Sequence, residues 1–206
     1  ANVKGDAADM FAYIAASPLA DRLRFLNEQL SAQGSIAAQL ELMVPVTHSR
    51  DTEINLAAEL QNITVKPAAV PWPVENLRGS LHVTEHSVAA EKLTGDFTGH
   101  ALQAVIDSAA NEAGSIASVS MNFTGGSDAK HLGEWLPQSW VEALSGTFAW
   151  QGDLYLPVNA DGEQYFVLNS TLRELVSELP QPLTHAAGAE WPADIRLSFP
   201  SRGALE

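Results

Sequence analysis

The chain has 206 residues, 46% of them hydrophobic and 17% charged, so it can bury the core of one large domain or two small ones. Its net charge of −14 and its 11 scattered Lys and Arg residues argue against nucleic acid or an anionic membrane surface as a partner. The absence of cysteine excludes disulfides, thiolate metal sites and cysteine nucleophiles, and it fits an oxidising compartment. No apolar run approaches the length of a membrane span.

Two segments have the residue spacing of helices. Between residues 7 and 31, apolar residues recur every three or four positions, and Pro18 divides the segment into two predicted helices. Between residues 128 and 144, Leu132, Leu136 and Leu144 repeat the pattern, with Pro137 as the divider. We therefore expect helices near residues 7–31 and 128–144.

Most of the remaining chain alternates apolar and polar residues with a period of two. This pattern is typical of antiparallel strands with one apolar face. The clearest stretches are 77–84, 117–124, 147–156 and 195–199. Turns are predicted where Gly, Asp and Asn cluster, because these residues tolerate turn conformations. The predicted turns lie at residues 94–96, 125–128 and 159–162.

An internal repeat organises these elements. Strands 34–46 and 146–158 both begin with glycine, both end in Pro-Val and lie 112 residues apart, and a second predicted strand follows each, at 54–65 and 164–177. We predict a first unit at residues 1–126 and a truncated second unit at 127–206, as expected of an internal piece of a longer repetitive protein. The predicted fold is mainly β with minor α: a curved antiparallel β-sheet, of groove or partial-barrel type, with helices between two imperfect repeats.

Two motifs contain residue types that are typical of metal sites, but their sequence context argues against metal binding. His82-Val83-Thr84-Glu85-His86 matches a zinc-peptidase pattern that requires both histidines on one helical face, whereas here the motif follows an alternating strand. His131 and Glu134 share a helical face but have no second Glu-x-x-His partner. The other carboxylates lie in predicted turns, where sequence proximity does not create a catalytic cleft. We therefore predict no metal site, no cofactor and no enzymatic activity.

The five tryptophans divide into two groups. Trp135, Trp140 and Trp150 are predicted to pack between helix and sheet as core residues. Trp72 and Trp191 lie beside prolines in loops that lead into strands, where either packing or a ligand-contacting surface is possible.

The order of these features resembles a known family. The stretch 166–180, followed by Pro182-Leu183 and Trp191-Pro192, is similar to the strand, "L-x-x-x-L-P-x-P-L" and W-P pattern of the YhdP branch of the AsmA-like periplasmic proteins, which are related to TamB. The stretch 74–90 resembles that family's strand pair with an internal Arg-Gly. Gly5-Asp6, opening a helix, also fits, and the likeness covers nearly the whole chain.

The resemblance implies a function as well as a fold. Proteins of this family are anchored in the inner membrane and span the periplasm. They form a long apolar β-groove for bridge-like phospholipid transfer to the outer membrane. This transfer supports envelope integrity and affects outer-membrane permeability. It implies phospholipid acyl chains and neighbouring segments of the same parent chain as partners, and it carries no catalytic residues. The candidate groove-lining residues are Val119, Met121, Phe123, Phe148, Trp150, Leu154 and Leu156.

Two other classes of function remain open from the sequence. One is a carbohydrate- or protein-binding β-sandwich module of a cell-envelope protein, in which two sheets close over the apolar faces. The other is a divergent hydrolase, which would gather titratable groups in a pocket. A groove would instead leave part of one apolar face open.

Overall fold

The computed structural model describes residues 2–9, 30–43, 53–67, 72–84, 86–112, 114–134, 136–157 and 162–199. Within these ranges the chain is mainly β. The strands are β1 (Asn2–Asp6), β2 (Leu30–Met43), β3 (Glu53–Pro67), β4 (Val74–Thr84), β5 (Val88–Phe97), β6 (His100–Ala110), β7 (Ile116–Asp128), β8 (Leu144–Pro157), β9 (Gln164–Ser170), β10 (Leu175–Ser177) and β11 (Ala193–Phe199). A 3₁₀ helix (Ala129–Glu134) and one turn of α-helix, α1 (Gln138–Val141), lie between β7 and β8.

The described strands form one open antiparallel sheet in which the strands from β1 to β9 each pair with the next strand of the chain. The order runs from β1 to β9 and then to β11, while the short β10 pairs with the beginning of β8. Sequential antiparallel pairing needs only short connections, which matches the alternating pattern with turn residues between the strands. The predicted fold class, a mainly β antiparallel sheet with minor helix, is confirmed.

The second predicted helical segment is less helical than expected, and most of the first lies outside the described residues. Residues 7–9 are helical, residues 10–29 lie outside the described residues, and β2 already begins at Leu30, inside the segment predicted as helix. The second segment contains only the 3₁₀ helix and α1. Pro137 immediately precedes α1 and separates the two elements, because proline cannot continue a preceding helix.

Two predicted turns are wrong. Residues 94–96 lie within β5 and residues 125–128 within β7. The turn after β5 is formed instead by Thr98 and Gly99, whose φ angles of 53° and 82° suit a two-residue hairpin loop. Glycine inside a strand marks a close approach: a Cβ at Gly95 would lie 2.9 Å from the carbonyl oxygen of Glu75.

The sheet bends towards its apolar face. Register irregularities, which bend a strand and increase its twist, interrupt the pairs from β2·β3 to β6·β7. Phe97 of β5 contacts Trp150 of β8 with ring centroids 5.7 Å apart, although a flat sheet would separate these strands by about 14 Å. The apolar face is therefore concave.

The two hairpins of the sequence repeat have the same register. Gln39 pairs with Ala57 and Met43 with Glu53 in β2·β3, and the positions 112 residues later, Gln151 with Asn169 and Tyr155 with Tyr165, pair in β8·β9. The same offset relates the β3·β4 pairs 55↔84 and 58↔81 to the β9·β11 pairs 167↔196 and 170↔193. It also relates 32↔65 to 144↔177 in β8·β10.

Candidate functional site

The seven candidate groove residues lie on one face of β7 and β8. Val119 pairs with Leu156 and Met121 with Leu154, while Phe123, Trp150 and Phe148 each face a small residue across the ladder. Side chains alternate between faces along a strand, so residues at these registers project to the same side. The structure thus brings the predicted residues together on the concave face.

Within that face the seven residues belong to two clusters. Val119, Met121 and Leu156 are buried together, with Leu154 packed beside them. Phe148 and Trp150 are buried in a separate cluster with Leu102, Ala129 and Leu175. Phe123 is half-buried and packs against both clusters, which joins them into one surface.

The apolar face continues across the whole described sheet. One row of mutually paired residues crosses every strand from β1 to β11 except the short β10. In pairing order it contains Gly5, Ile36, Leu60, Gly79, Leu93, Ala104, Phe123, Gly152, Leu168 and Ile195. The clusters of buried residues on this face share half-buried members, including Leu60, Ile106 and Phe123, so the surface has no polar break between them.

Large and small residues alternate along this row from Leu60 to Leu168, and the large side chains lean over the small positions. A Cβ at Gly79 would lie 2.9 Å from Cδ2 of Leu93, and a Cβ at Gly152 would lie 2.8 Å from Cζ of Phe166, which lies beside the row. Neighbouring strands therefore bury much of each other's apolar surface within a single layer.

One end of the concave face is closed by aromatic packing. Trp72 makes edge contacts with Phe97 and with His131 of the 3₁₀ helix, at centroid distances of 6.1 and 5.9 Å. Trp191 packs against the Trp150 cluster, and its ring lies 5.1 Å from that of His185. Trp72 and Trp191 are thus packing residues of this end of the face, which we call the aromatic end.

The remaining tryptophan predictions have mixed outcomes. Trp150 is buried as expected. The prediction for Trp140 was wrong: its residue is 43% exposed, because α1 is a single turn with no buried residues and packs no face into the core. Trp135 lies outside the described residues.

At the β11 edge of the sheet, apolar residues face solvent. Ile195 and Leu197 of β11 pair with Leu168 and Phe166 and so share their face. They are 50% and 49% exposed, among the most exposed large apolar residues of the described chain. Phe166, Leu168, Ile195 and Leu197 were not among the candidate lining residues, because only the pairing register places them on the same face as those candidates.

The convex face is polar and internally bonded. Ser80 donates to Glu59 at 2.6 Å, Arg78 Nε donates to Asn62 at 2.6 Å, and the side chain of Asn122 donates to Asp153. Val105, which is 42% exposed, is an apolar exception on this face. The two faces therefore differ sharply in chemistry.

The histidines and carboxylates of the two metal-like motifs do not come together in the described structure. His82 and His86 are exposed, and Glu85 lies outside the described residues. His131 contacts Trp72, its Nδ1 is buried without a hydrogen-bond partner, and the side chain of Glu134 is outside the described part of the chain. No group of three or more His, Asp or Glu residues within the described ranges could hold a metal ion.

A small charged group lies beside the aromatic end. Lys130 Nζ is 2.9 Å from Asp128, and His100 Nε2 is 3.4 Å from the other carboxylate oxygen. The hydrogen bond from Lys130, together with the positive charge of Lys130 and the contact with His100, lowers the pKa of Asp128 below its ordinary value. These groups accompany the end of β7 and do not face the apolar row.

Among the described residues, no helix has both the length and the apolar character needed to cross a membrane.

Comparison with known proteins identifies the family. The sequence model of the YhdP protein family matches residues 1–205. The chain is 27% identical over 202 residues to the intermembrane phospholipid transporter YhdP of Escherichia coli (strain K12), covering 96% of this chain and 15% of that relative's length. No solved structure matches the chain significantly. Because the family's sequence model covers almost the entire chain, the protein belongs to the YhdP protein family.

Proposed function

We propose that this chain is a non-enzymatic segment of a periplasm-spanning, inner-membrane-anchored scaffold that guides phospholipid acyl chains to the outer membrane and so supports envelope integrity. The observation that carries the proposal is the apolar row that crosses the open sheet from β1 to β11. The name of the E. coli relative, an intermembrane phospholipid transporter, supports it.

The size of the apolar face favours a path over a closed pocket. Nine strand spacings separate the ends of the row, which corresponds to roughly 43 Å along the sheet. One acyl chain occupies half of a hydrocarbon core about 30 Å thick, or about 15 Å. Each methylene exposed to water costs about 0.8 kcal/mol, so an acyl chain follows a surface only where the apolar contact is continuous.

The edge strand supports a role for neighbouring segments of the parent chain. Val83 of β4 is 8% exposed because Val88 of β5 pairs with it, whereas Ile195, at the equivalent position of the second unit, is 50% exposed. We propose that a following strand of the parent protein covers Ile195 as β5 covers Val83. The division into units at residues 1–126 and 127–206 belongs to this proposal.

Neither rival function gains support from the described residues. A β-sandwich needs two facing sheets, whereas the described strands lie in one sheet, with only β10 off its main path. A hydrolase needs convergent titratable groups in a pocket, and the histidines and carboxylates named above are dispersed.

The proposal is tested by placing a charge on each face in the full-length protein. Leu154 is half-buried on the concave face, and Val105 is exposed on the convex face, so Leu154→Asp and Val105→Asp form a matched pair. Val119 is unsuitable because it is 1% exposed, and a charge there would unfold the sheet.

Lipid contact is measured by photo-crosslinking from a benzophenone side chain at Leu81 or at Ile195, in cells whose phospholipids carry radioactive phosphate. Leu81 is a half-buried residue of β4 that packs against Ala90, Leu93 and Ala104, so the two probes lie on the concave face on opposite sides of Leu154. We expect Leu154→Asp to abolish or strongly reduce the labelled adducts at one or both positions, at an unchanged melting temperature, and Val105→Asp to leave them intact. Adducts that survive Leu154→Asp, or that are lost equally in both variants, would contradict the proposed path.

A further inference from the structure

Phe166 lies on the concave face in a position that Gly152 makes possible. The three atoms nearest to a Cβ built at Gly152 are Cζ and Cε2 of Phe166, at 2.8 and 2.9 Å, and Cζ3 of Trp150, at 3.4 Å. All three are side-chain atoms, and the φ of Gly152 is not in the left-handed region. The glycine is therefore required by the neighbouring ring and not by the backbone.

The ring has to move away from Gly152 if this space is filled. The backbone of Phe166 is fixed by its pairing with Leu154 in β8 and with Leu197 in β11. Trp150 occupies the adjoining space, and the sheet lies beneath. A methyl group at Gly152 would tilt the half-buried ring of Phe166 away from the sheet, above the apolar row.

From this geometry we propose that Gly152 is a positioning residue that sets the clearance of the lipid path by holding the Phe166 ring flat against the sheet. The inference rests on the proposed function and adds a specific narrow point to it, between Phe123 and Leu168 of the row. An acyl chain passing along the row meets the flat ring as part of the wall. With the ring raised, the same chain meets an obstruction.

The other glycines of the sheet provide matched controls. Gly125 lies beneath Trp150, which is buried in the aromatic end, so a methyl group there strains a closed core. At Gly126 the nearest atom to an added Cβ is 3.4 Å away, in His100, which is close to ordinary contact. Gly125→Ala should therefore lower the melting temperature, and Gly126→Ala should change neither folding nor lipid contact.

The experiment uses the full-length protein with a benzophenone side chain at Leu81 or at Ile195, on the two sides of Gly152, and phospholipids labelled with radioactive phosphate. We expect Gly152→Ala to reduce the labelled adducts several-fold at one or both positions, with a melting temperature close to that of the unsubstituted protein. The second substitution Phe166→Leu, which removes the ring, should restore the adducts.

Three results would overturn the inference. Adducts at the parent level in Gly152→Ala would show that the ring does not limit passage. A failure of Phe166→Leu to restore them would show that the ring is not the cause. A melting temperature lowered as much as in Gly125→Ala would assign Phe166 to the core. Leu154→Asp is measured in parallel: if it too leaves the adducts intact, the proposed function fails as well, and if it abolishes them, only the inference fails.

Discussion

At the scale of single residues, Gly34 and Gly146 serve the same purpose in the two hairpins. Both have positive φ, at 122° and 92°. A Cβ at Gly34 would collide with the carbonyl oxygen of Asn62, and one at Gly146 with that of Glu174, two acceptors that are themselves 112 residues apart. Gly34 therefore allows β3 to approach β2 at a register irregularity, and Gly146 allows β10 to approach β8 closely.

We predict that Gly146→Ala destabilises the fold by about 2–4 kcal/mol, since it combines backbone strain with a backbone collision that no rotamer change relieves. Gly99→Ala is the control: its φ is also positive, at 82°, but nothing lies within 4 Å of the added Cβ. It should cost only about 1 kcal/mol. Chemical denaturation of both variants measures the difference, and equal losses would contradict the role of the carbonyl contact.

Glycine also shows the limit of the sequence as a guide to this molecule. The repeat was visible because Gly34 and Gly146 precede similar alternating strands. The same residue type predicted turns at 94–96 and 125–128, which are strands in the structure. Gly125 accommodates the Trp150 ring of another strand, and no local pattern distinguishes that requirement from the requirement of a turn.

At the scale of elements, the aromatic end links loops and short helices to the sheet. Trp150 contacts Phe97, which contacts Trp72, which in turn contacts the 3₁₀ helix through His131. These contacts join residues far apart in sequence, so the tryptophan count alone could not assign them. The helical periodicity of residues 128–144 correctly indicated an interruption of the sheet but overestimated its helical length.

Two tryptophans near this end provide a direct comparison. Trp150→Ala should cost about 3–5 kcal/mol of unfolding free energy, because it opens a cavity beneath Phe97 and leaves that ring without its partner. Trp140→Ala should change stability by no more than about 0.5 kcal/mol, because the side chain on α1 is largely exposed. Thermal and denaturant unfolding check both values. A large loss for Trp140→Ala would mean that α1 packs more tightly than its exposure indicates.

At the scale of the whole molecule, the alternating pattern was enough to predict a mainly β antiparallel sheet and a shared face for the seven candidate residues. It could not predict how that face is divided. Phe148 and Trp150 belong to the closed aromatic end, whereas Phe166, Leu168, Ile195 and Leu197 continue the apolar face to the β11 edge. Strand register decides this division, and register depends on long-range pairing and bulges that a single sequence does not encode locally.

The repeat also predicts how β11 behaves in a longer chain. β4 and β11 occupy equivalent positions, but β4 pairs on both sides, with β3 and β5, whereas β11 pairs only with β9 among the described strands. An exposed strand edge with apolar neighbours such as Ile195 is a template for another strand.

We expect amide hydrogens of β11 that do not bond to β9 to exchange rapidly in the 206-residue chain, while the equivalent amides of β4 exchange slowly because β5 protects them. In the full-length protein, those β11 amides should become as protected from exchange as their β4 counterparts. Ile195→Asp should abolish this added protection. Arg196→Asp, on the opposite face, should retain it. Rapid exchange of β11 in the full-length protein would mean that no strand covers this edge, and the row would end at Ile195.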